Sequence, residues 1–130
     1  MIRMKLTKNF NKSEFECSCG CEMPLEVFHN IQKVANQLQI LRDATGKSIT
    51  VNSAYRCVKH NKAIGGVDSS QHILGKASDI VVKGVEPSIT FDLIDLFIND
   101  CEMLQGGLGN YNSFTHYDIR KIKARWDYRK

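Results

Sequence analysis

His72 and Asp79 stand seven residues apart in the stretch QHILGKASD, which runs directly into the apolar IVV. A carboxylate heading a buried strand is unfavourable unless a cation meets it. A further imidazole, His116, lies in SFTHYD. One carboxylate and two imidazoles make a catalytic zinc set, with the fourth position left for water. Gly75 would let the chain after His72 turn back tightly, so that Asp79 faces His72 across the turn. Residues two apart on a strand share a face, so His116 and Asp118 should point together with Phe114, and Thr115 and Tyr117 the other way. Taken singly, each histidine is an ordinary polar residue and Asp79 a turn cap. The combination is what points to a metal.

The cysteines form a competing group: Cys17, Cys19 and Cys21 in CSCGC, with Cys57 and Cys101 further on. Structural zinc pairs usually run Cys-x2–4-Cys, because two thiolates must converge from one turn, and Cys-x-Cys departs from that spacing. Cys57 or Cys101 could add a fourth ligand. Free buried thiols, or one or two disulfides, are the plainer readings. The odd count speaks against a full disulfide framework. A cysteine-rich zinc module for nucleic acid is a remote reading of the chain. Of the other histidines, His29 falls within a helical pattern and His60 lies in the loop before His72, where it could line the same cleft.

Several elements must position these groups. Leu25, Phe28, Ile31, Ala35, Leu38 and Leu41 recur at helical spacing, predicting a helix over 24–44 with Pro24 in its first turn and Gly46 at its exit. SITVNS reads as a strand to Ser53, and a short helix fits 59–63. KASDIVVKG is a strand ending at Gly84. A second main helix opens at Pro87 and carries Ile89, Leu93, Ile94, Leu96 and Phe97. One or two strands follow, one of them at 114–119. The order predicts an α+β fold, with two main helices on a small, mostly antiparallel sheet.

The chain of 130 residues fits a single domain over 1–130, with 1–22 an irregular, cysteine-bearing leading segment. Charged residues at 25% and hydrophobic residues at 42% are ordinary for a globular protein. No run of about 18 apolar residues is present, so no membrane span is expected. The start is basic but has no apolar h-region, so synthesis in the cytoplasm without a signal peptide is expected. The net charge of +4 gives a mild bias towards anionic partners. Much of the excess lies in RKIKARWDYRK, which reads mainly as a solvated charged face.

The stretches SAYRCVKHN, SSQHILGKASDI and GGLGNYNSFTHYDIR, followed by ARW, resemble the zinc D-alanyl-D-alanine carboxypeptidase superfamily, which includes D-Ala-D-Ala dipeptidases and phage endolysins. The shared pattern Ser-x-His-x-x-Gly-x-Ala-x-Asp falls on Ser70, His72, Gly75, Ala77 and Asp79. The opening LTKNFNKSEFECSCGC resembles the front of a small phage and prophage branch. The resemblance implies a hedgehog/D-Ala-D-Ala-peptidase-like fold and one zinc ion on His72, Asp79 and His116. It implies that Arg56 acts at the substrate carbonyl, and it makes Tyr55, Gln71 and His60 candidate substrate contacts. The implied activity is hydrolysis of a peptide bond in peptidoglycan stem peptides or cross-links, by a monomer acting on the wall after release or with a phage particle. Nucleic acid is not an implied partner. Many relatives carry the catalytic acid three residues before the last zinc histidine, where this chain has Ser113. Asp118, on the histidine's face, is then the expected general base. The alternatives are that Asp118 pairs with Arg56 or Arg120, or hydrogen-bonds a histidine outside the ligand set, and that the protein is a weakly active zinc-bearing wall-binding or virion module.

Overall fold

The periodic stretch after Pro24 forms helix α1 (Leu25–Thr45), which ends at Gly46. Its buried face is Val27, Ile31, Val34, Ala35, Leu38 and Leu41. That stripe is rotated from the expected one at the first turn, where Leu25 is 70% exposed and Val27 faces inward instead. The computed structural model describes residues 4–130, so the first three residues of the expected 1–22 segment lie outside the described residues. Within that segment, Lys12–Phe15 make a short 3-10 turn that buries Phe15 against Phe10.

Strand β1 (Ile49–Ser53), the short helix α2 (Val58–Ala63) and strand β2 (Ala77–Val82) follow where the sequence places them. Helix α3 (Pro87–Asn99) buries Thr90, Ile94 and Ile98, an i, i+4, i+8 stripe, while Ile89 and Leu96 of the expected face are half exposed. Three strands come next rather than one or two: β3 (Gly107–Asn110), β4 (Thr115–Asp118) and β5 (Ala124–Asp127). The fold is α+β. The five strands form one sheet in the order β1-β2-β4-β3-β5, antiparallel except for the parallel pair β3–β5.

The basic tail therefore does more than coat the surface. Its ARWD is the edge strand β5, and Arg125 donates to Asp95 of α3 at 2.9 Å and to the Gly106 carbonyl at 2.7 Å. Side-chain alternation along the strands separates two tasks. Ile80, Val82, Leu108 and Tyr117 join the core with α1 and α3. Asp79, His116 and Asp118 point to the opposite face, and Asp79 and His116 are direct cross-strand neighbours. No helix among the described residues is long and apolar enough to cross a membrane.

Candidate metal centre

Two pieces of backbone bring the candidate ligands together. The β2–β4 register sets Asp79 opposite His116. The turn after His72 closes through Gly75 N–H to the His72 carbonyl at 3.2 Å and Lys76 N–H to the Gln71 carbonyl at 3.1 Å. Gly75 has φ +73°, and a Cβ on it would come within 2.7 Å of Val27 Cγ1, so both conformation and space require glycine there. Asn30 of α1 steadies the same turn by donating to the Leu74 carbonyl at 2.8 Å.

Ligand atoms from His72, Asp79 and His116 all lie within 4.8 Å of one another. His72 Nε2 is 3.3 Å from Asp79 Oδ2, and His116 Nδ1 is 3.0 Å from Asp79 Oδ1. Donors on a tetrahedron with bonds of about 2.0–2.1 Å stand roughly 3.3 Å apart. His72 Nδ1 donates to the Ala54 carbonyl at 2.6 Å, which leaves Nε2 with its lone pair exposed to the other ligands. That Nε2 is buried and has no hydrogen-bond partner, a costly arrangement for an imidazole unless an ion completes it. The residues fit a small divalent cation such as zinc.

The surroundings set the protonation of the set. Burial disfavours the Asp79 carboxylate, but the hydrogen bond from His116 and the nearby His72 ring outweigh it and hold its pKa well below the usual range. Burial likewise disfavours a charged His116, yet Asp118 and Asp79, one on each ring nitrogen, raise its pKa above the ordinary imidazole value. A metal on Nδ1 must displace the proton facing Asp79. Below the raised His116 pKa, apparent zinc affinity should therefore fall about tenfold for each unit of acidification. The chain's one tryptophan, Trp126, has its ring 5.0 Å from that of His116 and can report loading of this site. Zinc titrations followed by its fluorescence between about pH 5 and 8 should show the trend. An affinity independent of pH across that range would contradict it.

Asp118 shares the face of His116, as alternation predicts, but it does not line the cleft. It is fully buried, and both of its oxygens are occupied. Oδ2 accepts from His116 Nε2 at 2.7 Å and from an Arg120 terminal nitrogen at 2.7 Å. Oδ1 accepts from Gly107 N–H at 2.8 Å, Arg120 N–H at 3.1 Å and Arg120 Nε at 2.9 Å. Burial would raise the Asp118 pKa, but His116 and Arg120 hold it well below the carboxylate range. No oxygen of Asp118 is free to face a water in the cleft, so the geometry does not offer it as the general base. The pairing with Arg120 is one of the expected alternatives, whereas the bond to His116, itself a candidate ligand, is not. A Cβ on Gly107 would lie 2.3 Å from Asp118 Oδ2, so the bare strand at β3 is what admits this carboxylate.

The three candidate ligands open onto a cavity of about 410 Å³. Arg56 and Gln71 line it, whereas Tyr55 and His60 do not. Tyr55 is buried in the core, and His60 borders a separate hollow beside the cysteines. Arg56 is aimed by three acceptors: Ser53 Oγ at 3.1 Å, Asn61 Oδ1 at 3.1 Å and Asp79 Oδ2 at 3.4 Å. Asn61 is itself buried and donates to the Val67 carbonyl at 2.9 Å, so the guanidinium is held from behind. Ser113, at the position where many relatives carry an acid, is exposed and outside the cleft lining.

The opposite wall is aromatic. Tyr111 stacks on Phe114 at 4.3 Å, Trp126 Nε1 donates to Tyr111 Oη at 2.9 Å, and the Arg120 guanidinium lies 5.3 Å from the Trp126 ring. Reading the tail as charged surface hid Trp126. The alternation Ala-Arg-Trp-Asp of β5 is the signal that could have found it.

The search of curated proteins returned no match. A family model described as peptidase M15 matches residues 7–118, a span that contains His72, Asp79 and His116 and ends at Asp118. That family is zinc-dependent, and the match covers most of the chain, so the chain belongs to the peptidase M15 family.

Proposed function

We propose that the protein is a zinc metallopeptidase that hydrolyses a peptide bond in bacterial peptidoglycan stem peptides or cross-links, acting as one domain with His72, Asp79 and His116 holding a zinc ion in the cleft. The observation that carries this reading is the buried, unpartnered His72 Nε2 converging with Asp79 and His116 at the floor of an open cleft. When bound, zinc supplies Lewis acidity to a carbonyl and lowers the pKa of water towards about 7. The chain's own residues do the rest. Arg56, fixed by Ser53 and Asn61, presents a guanidinium to the carbonyl oxygen as negative charge develops there. The aromatic wall gives the peptide a rigid face to lie against and excludes water from one side. Cleft access suits an extended peptide, and the wall is reached after release or with a phage particle.

Asp118, on this reading, is a positioning residue. By accepting from Nε2 it would leave His116 Nδ1, the nitrogen beside Asp79, as the one to hold a zinc ion. Asp118→Asn should weaken zinc binding by roughly 10–100-fold while sparing turnover once zinc is saturating. Equilibrium dialysis alongside kinetics at several zinc concentrations separates the roles. Unchanged zinc affinity with turnover lost at saturation would restore Asp118 as the base and remove the positioning role.

One observation favours a second reading. Among the described residues lining the cleft, the only carboxylate is Asp79, itself a candidate ligand. A weakly active, zinc-bearing wall-binding or virion module needs no separate proton acceptor. Digestion of purified peptidoglycan with and without a chelator distinguishes the two. The peptidase reading expects chelator-sensitive fragments, and the module reading expects retention on the wall without them.

A further inference from the structure

We propose that the four cysteines Cys17, Cys19, Cys21 and Cys57 form a second, structural metal site that binds one zinc ion through four thiolates, separate from the cleft. Their sulfurs all lie within 4.8 Å of one another. Cys17 Sγ is 3.3 Å from Cys19 Sγ and 3.9 Å from Cys57 Sγ, and Cys19 Sγ is 3.5 Å from Cys57 Sγ. Four sulfurs around one zinc, with bonds of about 2.3 Å, stand roughly 3.8 Å apart, so the set is close to the size the ion needs. All four thiols are free.

The backbone explains why an unfavourable Cys-x-Cys spacing still converges. Gly20 N–H donates to the Cys17 carbonyl at 3.0 Å and closes a turn, which bends the chain so that Cys17, Cys19 and Cys21 aim inward. Cys57 comes from the N-terminal end of α2, forty residues later. Its Sγ accepts from His60 N–H at 3.4 Å, and its own N–H donates to Cys17 Sγ at 3.5 Å. Such N–H···S bonds stabilise sulfur that carries negative charge. The fifth cysteine, Cys101, is exposed and outside the group.

Loading the site exchanges four thiol protons for one divalent ion, with the protons leaving to solvent and no oxidant or reductant required. All-thiolate coordination selects zinc over magnesium or calcium. The consequence is structural. The ion would tie the leading segment to the loop 54–57 between β1 and α2, in which Arg56 immediately precedes Cys57. That loop is already pinned by Tyr55 N–H to the Phe15 carbonyl at 3.1 Å and Arg56 N–H to the His72 carbonyl at 3.1 Å. The site therefore helps to set where the Arg56 guanidinium points.

The test is metal stoichiometry on the full chain, purified under reducing conditions and loaded with zinc, by elemental analysis and native mass spectrometry. The expected result is two zinc ions in the wild type. The double variant His72→Ala/Asp79→Ala should keep one, and Cys19→Ser/Cys57→Ser should lose one while keeping the cleft ion. Cobalt provides a readout independent of both zinc counting and activity. The cleft variant loaded with cobalt should show the intense thiolate-to-cobalt charge-transfer absorption of a tetrahedral sulfur site, and this arm decides the matter even if the cysteine variant does not fold. A wild type that binds one ion, lost with His72→Ala/Asp79→Ala, would overturn the proposal. So would a cleft variant without thiolate–cobalt absorption, or a non-reduced mass lower by the hydrogens of one or two disulfides. Loss of the cleft ion alone, with the cysteine ion retained, counts against the cleft reading and leaves this one standing.

Discussion

Replacing His72 with alanine should eliminate zinc binding in the cleft and, with it, hydrolysis. His72 Nε2 is the one ligand atom that is buried and unpartnered without an ion, so the metal gains most from it. The loss should be visible in stability as well as in activity. A ligand held at a thousand times its dissociation constant stabilises the folded state by about 4 kcal/mol. For a chain of this size that corresponds to roughly 10–20 °C in Tm. Zinc loading of the cleft should raise the wild-type Tm on that scale, and His72→Ala should remove the cleft's share. In the zinc-free protein the same substitution should cost less than an ordinary buried truncation, because it also removes an unsatisfied polar atom otherwise costing about 1–3 kcal/mol. Calorimetry of both proteins with and without zinc measures the difference. An equal zinc-induced shift in the two would place the ion elsewhere.

Arg56→Ala should lower kcat by about 10²–10³ while leaving the cleft zinc in place, the usual loss for a donor aimed at a developing oxyanion. The guanidinium reaches the ligand set only through its 3.4 Å contact with Asp79 Oδ2, so it is not needed to build the site. Arg56→Lys should recover little. An ammonium cannot span Ser53 Oγ, Asn61 Oδ1 and Asp79 Oδ2 together, as the planar fork does. Steady-state kinetics with parallel metal analysis checks both variants. A kcat within a few-fold of wild type, or loss of zinc in step with activity, would remove Arg56 from the carbonyl.

What the sequence disclosed and what it hid divide along physical lines. Patterns that depend on near neighbours were legible. The apolar spacing of α1, the run of β2 and the turn at Gly75 all report local geometry, and the candidate ligands His72 and Asp79 sit on two of these elements. The side-sharing of His116 and Asp118 also followed from strand period alone. The use of that shared face did not. Asp118 pairs with Arg120 only two residues on, an alternative the sequence offers, but whether the carboxylate is buried away from the cleft depends on β3 leaving space at Gly107, which no local pattern encodes. Strand β5 was masked for the same reason. Its parallel pairing with β3 is set by tertiary context, and its four residues are surrounded by lysines and arginines that resemble an ordinary solvated tail. His60 precedes His72 in the chain, which makes it no more than a candidate for the same cleft. A helix of six residues is too short for periodicity to reveal its phase, and α2 turns His60 towards the cysteines. The spacing of Cys17, Cys19 and Cys21 likewise does not disclose that their sulfurs converge with that of Cys57, because the turn closed by Gly20 and the forty-residue return to Cys57 are tertiary features.

The family assignment and the geometry both support the central proposal, that the cleft uses zinc to cut a peptide of the bacterial wall. The most direct measurement is digestion of purified peptidoglycan of several wall types with the zinc-loaded protein, with and without a chelator, followed by mass spectrometry of the soluble fragments. The account predicts new termini at one peptide bond, lost on chelation, restored by added zinc and absent with His72→Ala. No chelator-sensitive product from any wall type would contradict it.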